Sequence, residues 1–152
     1  MNNLKMVEST DMILRTVCDP VLENELQLIK DYSRKMYQIM LEYNGIGLAA
    51  PQVGINKRFF IYGDSSNMKL IINPEFTGKD ADNQTVISEG CLSFPGIQVD
   101  VERPDTVTMK YKDSNWSDVT VTAGGVNARV WQHEADHLDG LCIDRFLKKE
   151  NR

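Results

Sequence analysis

The chain of 152 residues contains two histidines, and both fall in one pentapeptide, His133-Glu134-Ala135-Asp136-His137. Residues four apart share one face of an α-helix, so this spacing lets both imidazoles reach a single metal ion if the segment is helical. Glu134 follows the first histidine and is placed to take a proton from water activated there. No other feature constrains the fold so strongly. A helix must carry the pair inward, and a residue from elsewhere must complete the site, because a four-coordinate catalytic centre normally takes three protein ligands. The pattern is that of a metallohydrolase.

No further histidine exists, so the third ligand is an acidic residue or a cysteine thiolate. The segment Glu89-Gly90-Cys91-Leu92-Ser93-Phe94-Pro95 is the best source. Gly90 permits close or unusual backbone geometry beside Cys91, and Pro95 is expected to end the extended run. Cys18 and Cys142 sit among apolar neighbours and are expected to fill core. Three widely spaced cysteines do not make a disulfide framework, which favours a reducing compartment and a cytoplasmic location. A third unusual segment is Gly45-Ile46-Gly47-Leu48-Ala49-Ala50-Pro51-Gln52. Its small residues allow a backbone to approach another chain or a substrate closely. The spacing matches neither a dinucleotide fingerprint nor a phosphate loop. Gln52 could donate an amide N–H to a developing oxyanion.

The rest of the chain predicts one α+β domain over residues 1–152. Leu26, Ile29, Ser33, Met36, Met40 and Tyr43 form the buried stripe of an amphipathic helix over 24–43, with Ser33 its weak point. Asn24 and Gln27 suggest a capping box, and Asn44-Gly45 a stop. Strands are expected over 58–62, 69–72, 106–111 and 118–122. Asn73-Pro74 should close the second, and a hairpin should lie at Asp113-Ser114-Asn115. A second helix should run over 126–138 and end at Asp139-Gly140. A net charge of −5 argues against a broad nucleic-acid or anionic-membrane surface. No apolar run is long enough to span a bilayer, and Met1–Lys5 lacks the apolar core of a secretory signal.

The segments Gly45–Gln52, Glu89–Ser93 and Gln132–Leu138 together resemble, in order, the three signature motifs of the peptide deformylases. The resemblance extends from about Asp11 to Phe146. It implies antiparallel sheets packed around a central helix that carries the HExxH motif. It also implies that Cys91, His133 and His137 bind one divalent metal, physiologically Fe²⁺, with Zn²⁺, Ni²⁺ or Co²⁺ able to replace it. The implied substrate is the N-formyl group on the initiator methionine of new polypeptides, and formate the product. Metal-bound water would attack the formyl carbon, with Glu134 as general base and acid. Gln52 and the Leu92 backbone N–H would stabilise the oxyanion. Gly45, Ile46, Gly47, Ile87 and Val126 would line the groove and methionine pocket, where an edge strand near Gly47 could pair with the peptide. Glu89 and Arg103 would form an ion pair that steadies Cys91.

Two departures stand out. Arg129 lies one helical turn before His133, where many relatives place an aliphatic residue facing the pocket. It can lay its stem along the pocket and keep its head in water, or it repels or re-shapes something there; altered side-chain selectivity with the chemistry intact is expected. The sequence also stops at Asn151-Arg152, without the C-terminal helix that aids ribosome docking in many bacterial relatives. That route of docking is not expected here, and a bacterial or a phage origin would suit such a compact form. A zinc endopeptidase is the rival enzyme, but it would need Asp139 or Asp144 as third ligand. An inactive metal-binding or nascent-chain-binding domain would not need Gln52 or Glu134.

Overall fold

A computed structural model describes residues 3–147. The end of the sequence at Asn151-Arg152, on which the expectation of a missing extension rests, lies outside the described residues. Helix α1 spans Leu26–Glu42 and buries Ile29, Ser33, Met36 and Met40 along one stripe. Ser33 is tolerated there because its hydroxyl donates to the Lys30 carbonyl at 2.7 Å. Tyr43, predicted to belong to the stripe, is the C-cap residue and 51% exposed. The predicted Asn24–Gln27 capping box does not form. A short 3₁₀ turn, Glu23–Glu25, precedes α1 and moves the cap to Leu22, whose N–H donates to Glu25 Oε1 at 2.8 Å. The helix stops where Asn44 adopts φ 57° and the Gly45 N–H closes back on the Met40 carbonyl at 2.8 Å.

Seven strands follow: β1 (Gly47–Ala49), β2 (Phe59–Asp64), β3 (Asn67–Lys79), β4 (Gln84–Cys91), β5 (Phe94–Pro104), β6 (Thr106–Lys112) and β7 (Asp118–Gly124). Five of them make an antiparallel sheet in the order β1-β2-β3-β6-β7, and β4 and β5 form a separate antiparallel pair. Helix α2 runs over Gly125–Leu138. The α+β class with antiparallel sheets is therefore the class observed.

Side chains alternate across β2, and each face receives one helix. Phe59 and Ile61 pack with Ile29, Met36 and Met40 of α1. Phe60 packs on the other side with Ala128, Trp131, Ala135 and Leu138 of α2, together with Ile71, Val107 and Met109. The three-and-four spacing of that α2 stripe lays the helix flat on the sheet. A third cluster joins β5, through Phe94, Val99 and Val101, to Leu14, Cys142 and Ile143 near the two ends of the described chain.

Two predicted strand ends are wrong for the same reason, a bulge. Asn73-Pro74 does not close a strand: β3 continues to Lys79 through a register shift between Ile72 and Glu75. Asn73, at φ 52°, turns its amide to the N-terminal segment, accepting from the Val21 N–H and donating to the Val21 carbonyl at 2.9 Å each. Pro95 likewise lies inside β5. Cys91 pairs with Phe94 and Glu89 with Val99, so residues 95–98 bulge opposite Gly90, where no ladder donor is required of a proline. A Cβ on Gly90 would collide with the Gln98 amide lying across it.

Candidate metal centre and groove

With one stripe of α2 committed to the sheet, His133 and His137 are presented elsewhere on the helix, their ring centroids 5.3 Å apart. Cys91, the last residue of β4, meets them. Its Sγ lies 3.3 Å from His137 Nε2, and the ligand atoms of Cys91, His133 and His137 all fall within 4.8 Å of one another. These three side chains could hold one ion.

A buried charge network stands behind them. His133 Nδ1 faces Glu89 Oε1 at 3.0 Å, an arrangement that leaves Nε2 for the cluster. Glu89 also accepts from Arg103 Nε at 2.8 Å, from a second Arg103 nitrogen at 3.0 Å, and from Arg129 at 2.8 Å. Arg103 continues to Asp136 at 2.8 Å, and Asp136 accepts from Arg145 at 3.0 Å. The Glu89–Arg103 pair is thus formed, as part of a larger network. Burial alone would raise the Glu89 carboxyl, but hydrogen bonds from His133, Arg103 and Arg129 and the Arg103 charge outweigh it and hold it well below the usual carboxylate range.

The same chemistry tests whether a cation fits. Burial opposes protonation of His133, yet the Cys91 sulfur and the Glu134 and Glu89 carboxylates raise the ring to about 10. Burial and the charge on His133 push His137 the other way, well below 6.5, so it offers a neutral lone pair. Surroundings that draw a proton onto His133 equally draw a metal cation. Glu134 is buried, which lifts its carboxyl to about 7, and its Oε1 has no hydrogen-bond partner among the described residues. One sulfur and two imidazoles, with the Glu134 carboxylate lining the same groove as Cys91 and His133, suit Fe²⁺, Co²⁺, Ni²⁺ or Zn²⁺ with water.

A groove of about 580 Å³ opens from this cluster. Gly45, Ile46, Gly47, Ile87, Val126 and Arg129 all border it, as do Leu92 and Glu134. The glycines are there for space. A Cβ on Gly47 would stand 2.7 Å from Glu134 Oε2 and 3.0 Å from Val130 Cγ1, and one on Gly45 would stand 2.7 Å from Leu92 Cδ1. Gln52 is buried at the inner end. Its Oε1 accepts from the Ala49 N–H at 2.9 Å, and its Nε2 donates to Ser93 Oγ at 3.0 Å and approaches Cys91 Sγ at 3.5 Å. Strand β1 is the edge of the five-stranded sheet, as the peptide-pairing expectation requires.

Arg129 differs from expectation. Its head is not in water: the side chain is 11% exposed. The guanidinium donates to Glu89 Oε2, to the Val101 and Thr85 carbonyls at 2.8 Å each, and to Thr85 Oγ1 at 3.0 Å. A buried carboxylate and two carbonyls of the β4–β5 pair outcompete solvent for its five N–H groups. Asp139 and Asp144, the rival third ligands, are engaged away from the cluster, with Arg58 at 2.9 Å and Arg15 at 2.7 Å. Sequence reading missed Asp136, Thr85 and Ser93, and it assigned Cys142 to the core alone. Cys142 does lie in the core, but its sulfur is also 3.9 Å from His137 Nδ1. Asp136 and Ser93 carried a visible signal, through their places inside the histidine and cysteine segments, whereas Thr85 carried none.

The family model for polypeptide deformylase matches residues 3–152. The chain belongs to the polypeptide deformylase family. The peptide deformylase of Thermotoga maritima is 43% identical over 137 residues, covering 90% of this chain and 82% of the relative. The crystal structure of a T. maritima peptide deformylase is superposable with a TM-score of 0.89 at 37% identity, over 97% of this chain and 99% of that one. A Met-Ala-Ser-bound class I type b peptide deformylase from Acinetobacter baumannii gives a TM-score of 0.88 at 33% identity, over 95% and 98% of the two chains. Deformylases of this family are enzymes that act on N-formylmethionyl peptides. No described helix is long and apolar enough to cross a membrane.

Proposed function

We propose that this chain removes the N-formyl group from the initiator methionine of new polypeptides in the cytoplasm and releases formate. The observation that carries the reading is the meeting of Cys91, His133 and His137 at a peptide-sized groove that Glu134 also lines, its Oε1 without a hydrogen-bond partner among the described residues. Cys91, His133 and His137 would hold one divalent cation, physiologically Fe²⁺, which when bound supplies Lewis acidity to water and to the formyl carbonyl. Glu134, with its carboxyl near neutrality, takes the proton of the attacking water and returns it to the departing amine, which leaves poorly as an anion. Gln52 Nε2 and the Leu92 backbone N–H donate to the oxyanion that develops on the formyl oxygen. Loss of one such donor typically costs about 10²–10³ in turnover.

Ile46, Ile87 and Val126 provide an apolar slot for the unbranched methionine side chain, with Gly45, Gly47 and the stem of Arg129 completing its walls. The open edge of β1 pairs with the peptide backbone. The HExxH helix, lying between the sheet and the β4–β5 pair, keeps both histidines and Glu134 in register with Cys91.

The test is formate release from a formyl-Met tripeptide by anaerobically iron-loaded protein, alongside its Glu134→Gln variant. Rapid release that collapses in the variant while metal content holds supports the reading. No release from fully metallated, folded protein overturns it. Cleavage of an unformylated internal peptide bond would instead support the endopeptidase.

A further inference from the structure

We propose that Cys142 is a positioning residue for His137, its sulfur holding the imidazole in the tautomer and orientation that leave Nε2 bare for the metal. This rests on the metal reading above and extends it to a side chain that touches neither metal nor substrate.

The geometry starts with the turn after α2. Gly140 sits at φ 73°, and a Cβ there would stand 2.7 Å from the Arg15 carbonyl carbon, so only glycine lets the chain fold back this tightly against the N-terminal segment. The turn returns Cys142 to the ring of His137, with Sγ 3.9 Å from Nδ1. The thiol proton is already placed, because Sγ–H donates to the Leu14 carbonyl at 3.4 Å. The sulfur therefore faces the imidazole with lone pairs and can accept from an Nδ1–H, the tautomer that a metal on Nε2 requires. Both side chains are 1% exposed, so water does not substitute, and Nδ1 has no other hydrogen-bond partner among the described residues.

The two histidines are thus held by unlike partners. His133 leans on a carboxylate that is itself bound by two arginines, whereas His137 leans on a neutral, polarisable sulfur. Removing the sulfur strands a buried N–H, which favours the other tautomer or a rotated ring, and either withdraws Nε2 from the cluster. A packing role alone makes a different demand: it needs an apolar group of similar volume and is indifferent to lone pairs.

Cys142→Val and Cys142→Ser separate the two roles. Zn²⁺ affinity is measured by competition with a chelator under reducing conditions, and the melting temperature of each metal-free protein is read beside it. Valine should keep the melting temperature near wild type while weakening Zn²⁺ on the order of 10–100-fold. Serine should lower the melting temperature yet hold Zn²⁺ several-fold more tightly than valine does. Wild-type affinity in Cys142→Val overturns the proposal, as does a loss in both variants that simply follows their stability. If the serine variant does not fold, the valine result decides alone. Failure of the wild type to bind Zn²⁺ overturns the metal reading itself, and the proposal with it.

Discussion

Replacing Arg129 by methionine tests whether the charge network behind the cluster is what joins α2 to the β4–β5 pair. Methionine preserves the unbranched stem and removes four hydrogen bonds, to Glu89 Oε2, Val101 O, Thr85 O and Thr85 Oγ1. Breaking a buried ion pair by deleting one partner costs about 3–5 kcal/mol, mostly through the charge left behind. Glu89 keeps Arg103 and His133, so the carboxylate is not abandoned and the lower end applies. The two carbonyls then lose a charged donor at about 1–3 kcal/mol each where water cannot reach them. The groove side of the site is open, and water entering the space left by the guanidinium serves both carbonyls and offsets that second loss, so the net cost is about 3 kcal/mol. For a domain of this size that is a fall in melting temperature of roughly 6–12 °C. Thermal unfolding should be followed at fixed metal occupancy, because a bound ion adds its own stabilisation. Arg129→Lys should recover only part of the loss, since an ammonium lacks the planar fork. A methionine variant within about 1 kcal/mol of wild type would refute the reasoning. If relative rates across substrates with different first residues change while stability holds, Arg129 governs selectivity instead.

Three further outcomes follow from the same geometry. Gly47→Ala places a methyl 2.7 Å from Glu134 Oε2, so turnover should fall by about 10²-fold with metal content unchanged; an active variant would show that Glu134 is free to move. Peroxide should oxidise Cys91, which is partly exposed, before the buried Cys18 and Cys142. Peptide mass spectrometry checks the order, and early oxidation of either buried thiol contradicts it. Burial pushes the Cys18 thiol from 9.0 to about 11. A group raised in the folded state stabilises fully below its unfolded pKa and loses that contribution as pH rises through the folded one. Cys18 therefore destabilises the fold between pH 9 and 11 by about 2 kcal/mol, and urea unfolding of Cys18→Val should show a shallower alkaline decline.

Much was legible from the chain alone, for reasons that differ by element. The histidine pair announced itself because helical spacing and metal chemistry both act within five residues, and the α1 stripe because burial follows the helical period. The sequence determined that two imidazoles and a carboxylate share one helix, that small residues crowd Gly45–Gln52, and that Cys91 was available as a third donor. It could not show where Asn73 and Pro95 lead, since bulges are decided by what lies across the ladder. Nor could it place the head of Arg129, whose partners Thr85, Glu89 and Val101 are distant in sequence, two of them through carbonyls that any residue possesses. The sulfur of Cys142 is a core atom in the sequence and a neighbour of His137 only because Gly140 folds the chain back. Local periodicity records what each segment wants to bury, whereas the partners of a buried polar group are set only when separate segments pack together.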